Sequence, residues 1–213
     1  MGNFIVAITG GSGMLYAKEL SKKILQNNHN LKMVISDAAK KVLKVEESLI
    51  LTGDIKNDKK FLLEWIDYDK NKQFDLIDHK DVSANIASGS YKHDGMVIVP
   101  CSGGTLGRIA NGISLGLIER AAHVCFKERR KLILVHRETP ISLIDIENMR
   151  KVTEAGAVFM PASPGFYHKP SSIDDLITFV VDRILDHLFQ NHKSNKRWHG
   201  LNNFCDEGEK ENV

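Results

Sequence analysis

Cysteine is scarce. The 213 residues hold three, Cys101, Cys125 and Cys205, far apart and odd in number. No C-x-x-C spacing occurs, so neither a zinc ribbon nor a disulfide framework is indicated, and a reducing compartment is the simple expectation. Net charge is nearly lacking too. Lysine plus arginine total 29 against 27 aspartate plus glutamate, a balance of +2. That argues against a general nucleic-acid binder, which carries a strong basic excess. Local clusters still leave room for small anionic ligands. No apolar run approaches the ~18 residues of a membrane span. Met1, Gly2 and Asn3 lead straight into a strand pattern without a basic leader, so a cytoplasmic protein is expected. Metal-ligand patterns are missing as well. There is no D-D-x-x-D-like run and no His/Cys cluster with ligand spacing, so no metal is expected.

What is present suits a globule. The apolar share is 42% and the charged share 26%, ordinary values for a soluble chain. The length fits one domain, expected over residues 1–190, with a polar tail over 191–213. Residues 4–8, 31–36, 96–100, 132–135 and 157–160 are short apolar runs, as strands buried on both faces require. Helical spacing fills 14–26, 37–45, 105–126, 141–155 and 171–188, the last with Ser172 as N-cap. Strands alternating with helices predict an α/β fold: a three-layer, doubly wound parallel sheet, Rossmann- or flavodoxin-like. Residues 51–82 fit this series poorly. They are polar and are expected to form a loop or a peripheral hairpin, a variable insertion. The tail is expected to be mobile or draped over a neighbouring subunit.

Ligands in such sheets bind beyond the carboxyl ends of the strands. Gly10, Gly11, Ser12 and Gly13 follow the first strand there. Glycines let a backbone approach a phosphate or flavin ring, and the helix start behind them favours anions. The alternative is a tight βα turn with no ligand. A dinucleotide fingerprint fails twice: Tyr16 stands where the third glycine belongs, and the second strand ends in Ser36, not an acidic residue. A mononucleotide fits better. Ser36 is either a ligand contact or a plain helix N-cap. Ser102, Gly103, Gly104 and Thr105 repeat the cradle after the third apolar strand.

Arg137 and Glu138 follow an apolar strand directly, at the same edge. An Arg there can grip a phosphate bidentately, and a Glu can carry a proton or pair with the Arg. Lys127 to Arg130 form a charge run that reads equally as a solvated helix face. Phe166, Tyr167 and His168 lie on a loop fixed by prolines and glycine, able to wall an apolar substrate or to meet another subunit. Arg183 sits among Val180, Val181 and Ile184; a half-buried Arg needs an anionic partner.

Taken in order, several stretches resemble the UbiX family of flavin prenyltransferases. They are residues 7–13, 87–90, 101–106, 117–122, 127–140 and 165–168. Gly11 stands where many members have Ala, His123 where Asp is common, and Lys131 where Pro is frequent. The 51–82 region matches poorly, and Arg197 with Trp198 resembles a late Arg-Trp pair. The resemblance implies reduced FMN as co-substrate, dimethylallyl monophosphate as donor, no metal, and a prenylated flavin passed to a UbiD-type decarboxylase in ubiquinone or aromatic-acid metabolism. It implies that Gly10, Gly11, Ser12, Ser36, Ser102, Gly103, Gly104, Thr105 and Arg137 hold FMN. Glu46, Ser88, Gly89, Lys127, Arg137, Tyr167 and Arg183 would bind the prenyl phosphate, Glu46 from an adjacent subunit. Ser12, Arg120, Lys127 and Glu138 would be catalytic. The assembly would be a homo-oligomer, a dodecamer of stacked trimers.

Three rivals remain. An FMN-dependent decarboxylase of the phosphopantothenoylcysteine type would show a Pro-Ala-Ser-Ala-Asn pattern where Pro100 to Gly104 stand. An aromatic-acid decarboxylase would act without a partner. A non-enzymatic FMN carrier would leave Lys127, Tyr167 and Arg183 with no joint purpose.

Overall fold

Strand β1 (Asn3–Ile8) is buried over its last five residues, as a strand covered on both faces must be. The computed structural model describes residues 1–189. After β1 come α1 (Met14–Gln26), β2 (Asn30–Ile35), α2 (Asp37–Glu46), α3 (Ile55–Ile66) and β3 (Phe74–Asp78). Then follow β4 (Gly95–Cys101), α4 (Gly103–Ala110), α5 (Leu117–Lys127), β5 (Leu132–His136), α6 (Leu143–Glu154), β6 (Val158–Pro161) and α7 (Ile173–Leu188). Every strand pair is parallel, in the order β3-β2-β1-β4-β5-β6. The doubly wound α/β sheet is therefore as expected. The order reverses between β1 and β4, which puts the ligand crevice beyond the ends of those two strands.

Side chains alternate across each strand, so every strand feeds two cores. Val6, Ile8, Val97 and Val135 pack with Met14, Leu20 and Ile24 of α1 and Val181 and Ile184 of α7. Ile5, Ala7, Ile98 and Leu134 pack with Leu106 of α4 and Ile118, Ala121 and Cys125 of α5. Each such Leu or Ile contributes about 1.5–3 kcal/mol of burial. Ser172 caps α7 through a capping box with Asp175, as the sequence indicates. The helical pattern over 105–126 is in fact two helices, broken at Gly112 with φ 72°.

The region 51–82 is a correction. It holds neither a hairpin nor a bare loop but α3 and the edge strand β3, which pairs with β2. The acidic residues that read as loop are end signals. Asp54 accepts the Lys56 and Asn57 amides as N-cap. Asp58, 2% exposed, accepts the Thr52 and Gly53 amides. Asp67 ends α3 in the left-handed conformation, φ 59°. Between them α3 buries Leu62, Leu63, Trp65 and Ile66. Among the described residues no helix is long and apolar enough to cross a membrane. The expected tail, with Arg197, Trp198 and Cys205, lies outside the described residues.

Candidate active site

Thr9 stitches the reversal point together. Its hydroxyl donates to the Pro100 carbonyl at 2.8 Å and accepts the Ser102 amide at 2.8 Å. The glycines beyond it have packing reasons of their own. A Cβ on Gly10 would stand 2.7 Å from Ala38 Cβ, and Gly13 adopts φ 111° as the residue before α1. The tight-turn reading thus accounts for Gly10 and Gly13 without any ligand.

A carboxylate caps this turn. Glu46 accepts the Gly13 amide at 3.0 Å and the Met14 amide at 2.9 Å, at the positive end of α1. Burial pushes its carboxyl upward, but the Met14 amide, the Ser12 hydroxyl, the Gly13 amide and the Arg137 charge together hold it below the usual range. The sequence reading brought Glu46 from an adjacent subunit. Here it reaches the loop of its own chain. Ser36 at one end of α2 donates its amide to Ile8 and Glu46 at the other end meets Gly13, so the helix lies along the carboxyl edge.

Ser36 and Ser102 are both N-caps, accepting the amides of Ala39 and Thr105. A cavity of about 220 Å³ opens beside Ser36, lined by Thr9, His79, Thr105, Arg108 and Glu119 and by apolar residues of the α5 start. His79 Nε2 stands 3.0 Å from Asp37, and this close approach, with help from Lys80, holds Asp37 down at about 2. A larger hollow of about 1020 Å³, lined by Lys56, Lys59 and Lys60 with Leu25 and Tyr68, flanks α1 and α3. It touches none of the residues at the reversal point.

Arg137 leaves the end of β5 half-buried, and its Nε is buried with no hydrogen-bond partner among the described residues. Leaving such a donor unsatisfied costs about 1–3 kcal/mol, so a ligand acceptor fits beside it. Its charge is felt by Glu46 and by Tyr16, whose hydroxyl burial pushes above the usual range against the lowering pull of Arg137. Tyr16 also lies over Gly13, 2.9 Å from where its Cβ would be. Sequence reasoning used Tyr16 only as a missing glycine and so passed over it. Glu138 is exposed, and its carboxylate accepts the neighbouring Thr139 amide at 3.1 Å. The carboxylate that does meet Ser12 is Glu46.

Arg120 is exposed in the first turn of α5. Tyr167, 46% exposed, packs edge-on against Phe179 at 5.7 Å. Helix α5 starts at the carboxyl edge, where the Leu117 amide meets His79, and runs down to Lys127 beside the start of β5. Its 11 residues span roughly 16 Å. Lys127 therefore lies at the opposite edge from Arg137, near Glu128 at 3.7 Å. Ser88 and Gly89 lie at that lower end too: a Cβ on Gly89 would strike Glu128, and Arg130 donates to the Gly89 carbonyl. Arg183 also needs correcting. It is not half-buried but 54% exposed, paired with Asp186 at 2.8 Å, because Val180, Val181 and Ile184 take the inward face. Among the described residues no group of three or more His, Cys, Asp or Glu gathers as a metal site.

A doubly wound parallel sheet with two hydroxyl-and-glycine cradles at its reversal point and an unsatisfied arginine beside them defines a mononucleotide-binding α/β protein. The family model described as Flavoprotein matches residues 2–185. The flavin prenyltransferase UbiX of Alkalihalophilus pseudofirmus is 44% identical over 193 residues, covering 91% of this chain and 94% of that protein. The chain belongs to the UbiX family of flavin prenyltransferases. Among solved structures, AnUbiX (PadA1) in complex with FMN and dimethylallyl pyrophosphate aligns with a TM-score of 0.80 at 36% identity, covering 93% of this chain and 98% of that one. A dodecameric FMN-dependent UbiX-like decarboxylase from Escherichia coli aligns with a TM-score of 0.79 at 34% identity, covering 93% and 100%.

Proposed function

We propose that this chain joins a dimethylallyl group from dimethylallyl monophosphate to N5 and C6 of reduced FMN and releases phosphate. The allylic C–O bond breaks as the N5–carbon bond forms, and the N5 proton leaves with the phosphate; the alkene then takes up a proton at one carbon while its other carbon bonds to C6 and closes the ring, and the C6 proton leaves. The prenylated flavin goes to a UbiD-type decarboxylase. The observation that carries the reading is the convergence of Ser12, Glu46 and Arg137 at the loop after β1, in a chain whose relative is held with FMN and a dimethylallyl phosphate ester. Gly10, Gly11, Ser12, Ser36, Ser102, Gly103, Gly104, Thr105 and Arg137 hold FMN. Arg137, Tyr167, Lys127 and Arg183 hold the donor phosphate, with Ser88, Gly89 and Glu46 around it. Arginine and lysine supply the charge that a departing phosphate needs. Arg120 and Glu138 serve the reacting atoms.

Lys127 sits an α5 length away from Arg137 in the same chain. Both act on one phosphate only if Lys127 comes from another copy. A homo-oligomer follows, and the dodecamer of the Escherichia coli relative is its proposed form. We place the protein in the cytoplasm. The test is phosphate release by purified protein given reduced FMN and dimethylallyl monophosphate under argon, with no decarboxylase added. One phosphate per flavin supports the reading. No release, or release without flavin, overturns it.

A further inference from the structure

The Thr105 hydroxyl is 2% exposed with its residue and receives two hydrogen bonds. Ser102 Oγ donates to it at 3.1 Å, and Arg108 Nη2 donates at 3.1 Å. A hydroxyl has two lone pairs and one proton. Both lone pairs are taken, and among the described residues nothing accepts the proton. Thr105 also lines the 220 Å³ cavity with Thr9 and Ser36, so an acceptor placed there would take the proton.

Arg108 is itself fixed. Its Nε donates to Glu119 at 2.7 Å, and the Glu119 side chain is 8% exposed. A carboxylate this buried is sustained by its ion pair. The guanidinium is planar and forked, so anchoring Nε aims Nη2. The sequence reading gave Arg108 and Glu119 no task.

We infer that Arg108 and Glu119 are positioning residues that make Thr105 a one-way donor to the phosphate of FMN. This rests on the reading that FMN binds at Ser36 and Ser102 to Thr105. The acceptor is a phosphate because two helices, α2 and α4, begin at this cavity with their positive ends toward it. Glu119 neutralises Arg108, so the pair orients the hydroxyl rather than gripping the anion directly.

The experiment titrates FMN and riboflavin into the full chain by flavin fluorescence. The variants are Thr105→Val, Arg108→Lys and the double variant, with melting temperatures taken alongside. Arg108→Lys keeps the charge opposite Glu119 but cannot bridge Glu119 and Thr105 together. Each single variant weakens FMN by roughly tenfold, the double variant is no weaker than Thr105→Val, and riboflavin changes less than about twofold. Unchanged FMN affinity in Arg108→Lys overturns the inference; so does a loss that multiplies in the double variant, or an equal loss of riboflavin. If Arg108→Lys does not fold, Glu119→Gln takes its place and must lower FMN affinity alone and add nothing to Thr105→Val. Failure of the unaltered chain to bind FMN sinks the FMN reading and this inference together. Failure of the variants alone sinks only this inference.

Discussion

The Glu46 carboxylate accepts the Met14 amide at 2.9 Å, so the last residue of α2 caps the first turn of α1. Helix α1 has no side-chain cap of its own, since its N-cap is Gly13. Glu46 thus does two things at once. It satisfies orphan amides, and it sets a negative charge beside Ser12 and Arg137.

The first prediction concerns acid. The Glu46 carboxyl is held below its ordinary value of 4.5 in the fold. A depressed carboxyl stabilises fully above the unfolded value, and that stability is lost as pH falls through the folded value. Melting temperatures of Glu46→Gln and the parent should therefore differ at pH 7 and converge as pH falls below 4.5. A difference that persists unchanged in acid contradicts the cap.

A second prediction separates the two carboxylates. Glu46→Gln removes the anion that meets Ser12, whereas Glu138→Gln alters an exposed group. If Glu138 carries the proton from flavin C6, its Gln variant retains FMN and slows turnover by roughly 10²–10⁴. Normal turnover assigns that task to Glu46, to the released phosphate or to water. Loss of FMN binding makes Glu138 a structural partner of Arg137.

Sharing of the site between copies is tested by mixing inactive variants. Lys127→Ala and Arg137→Ala, each inactive, should regain activity when co-folded. In a random one-to-one mixture about a quarter of two-copy sites hold both native residues. No recovery contradicts a shared site.

Arg183→Ala should weaken the prenyl phosphate far more than FMN. A lost charge-assisted contact costs on the order of 2 kcal/mol. In one chain Arg183 spends its charge on Asp186, so the contact requires that pair to open. Titration of both ligands decides it: equal loss, or none, removes Arg183 from the site.

Burial pushes the Cys101 and Cys125 thiols up to about 12. Neither residue should take iodoacetamide at pH 8 in the native protein, and both should in denaturant. Peptide mapping by mass reads this, and native labelling of Cys101 contradicts the packing at the end of β4.

Much of this fold was legible in the sequence. Helix α1 has the bounds its apolar spacing implies, and Ser172 caps α7 as read. The strand β3 was not legible, because an edge strand of five residues buries only Phe74 and Leu76 fully. Its neighbour α3 hid behind acidic residues that act as caps. Local pattern also located the two loops at the reversal point, since glycine and serine after a buried strand signal a turn into a helix within a few residues. The meeting of Glu46 with Met14, 32 positions apart, depends on how α2 lies across the sheet edge, which no local pattern encodes. Lys127 and Arg137 are close in sequence but are separated by the rise of β5 from the edge where α5 ends. Tyr16 became visible only when its ring was found over Gly13.

The most direct measurement is the mass of the flavin itself. The full chain is incubated anaerobically with reduced FMN and dimethylallyl monophosphate, and the released flavin is weighed by mass spectrometry. The account predicts FMN enlarged by one C5H8 unit. Unchanged FMN, with protein that is folded and flavin-bound, contradicts it.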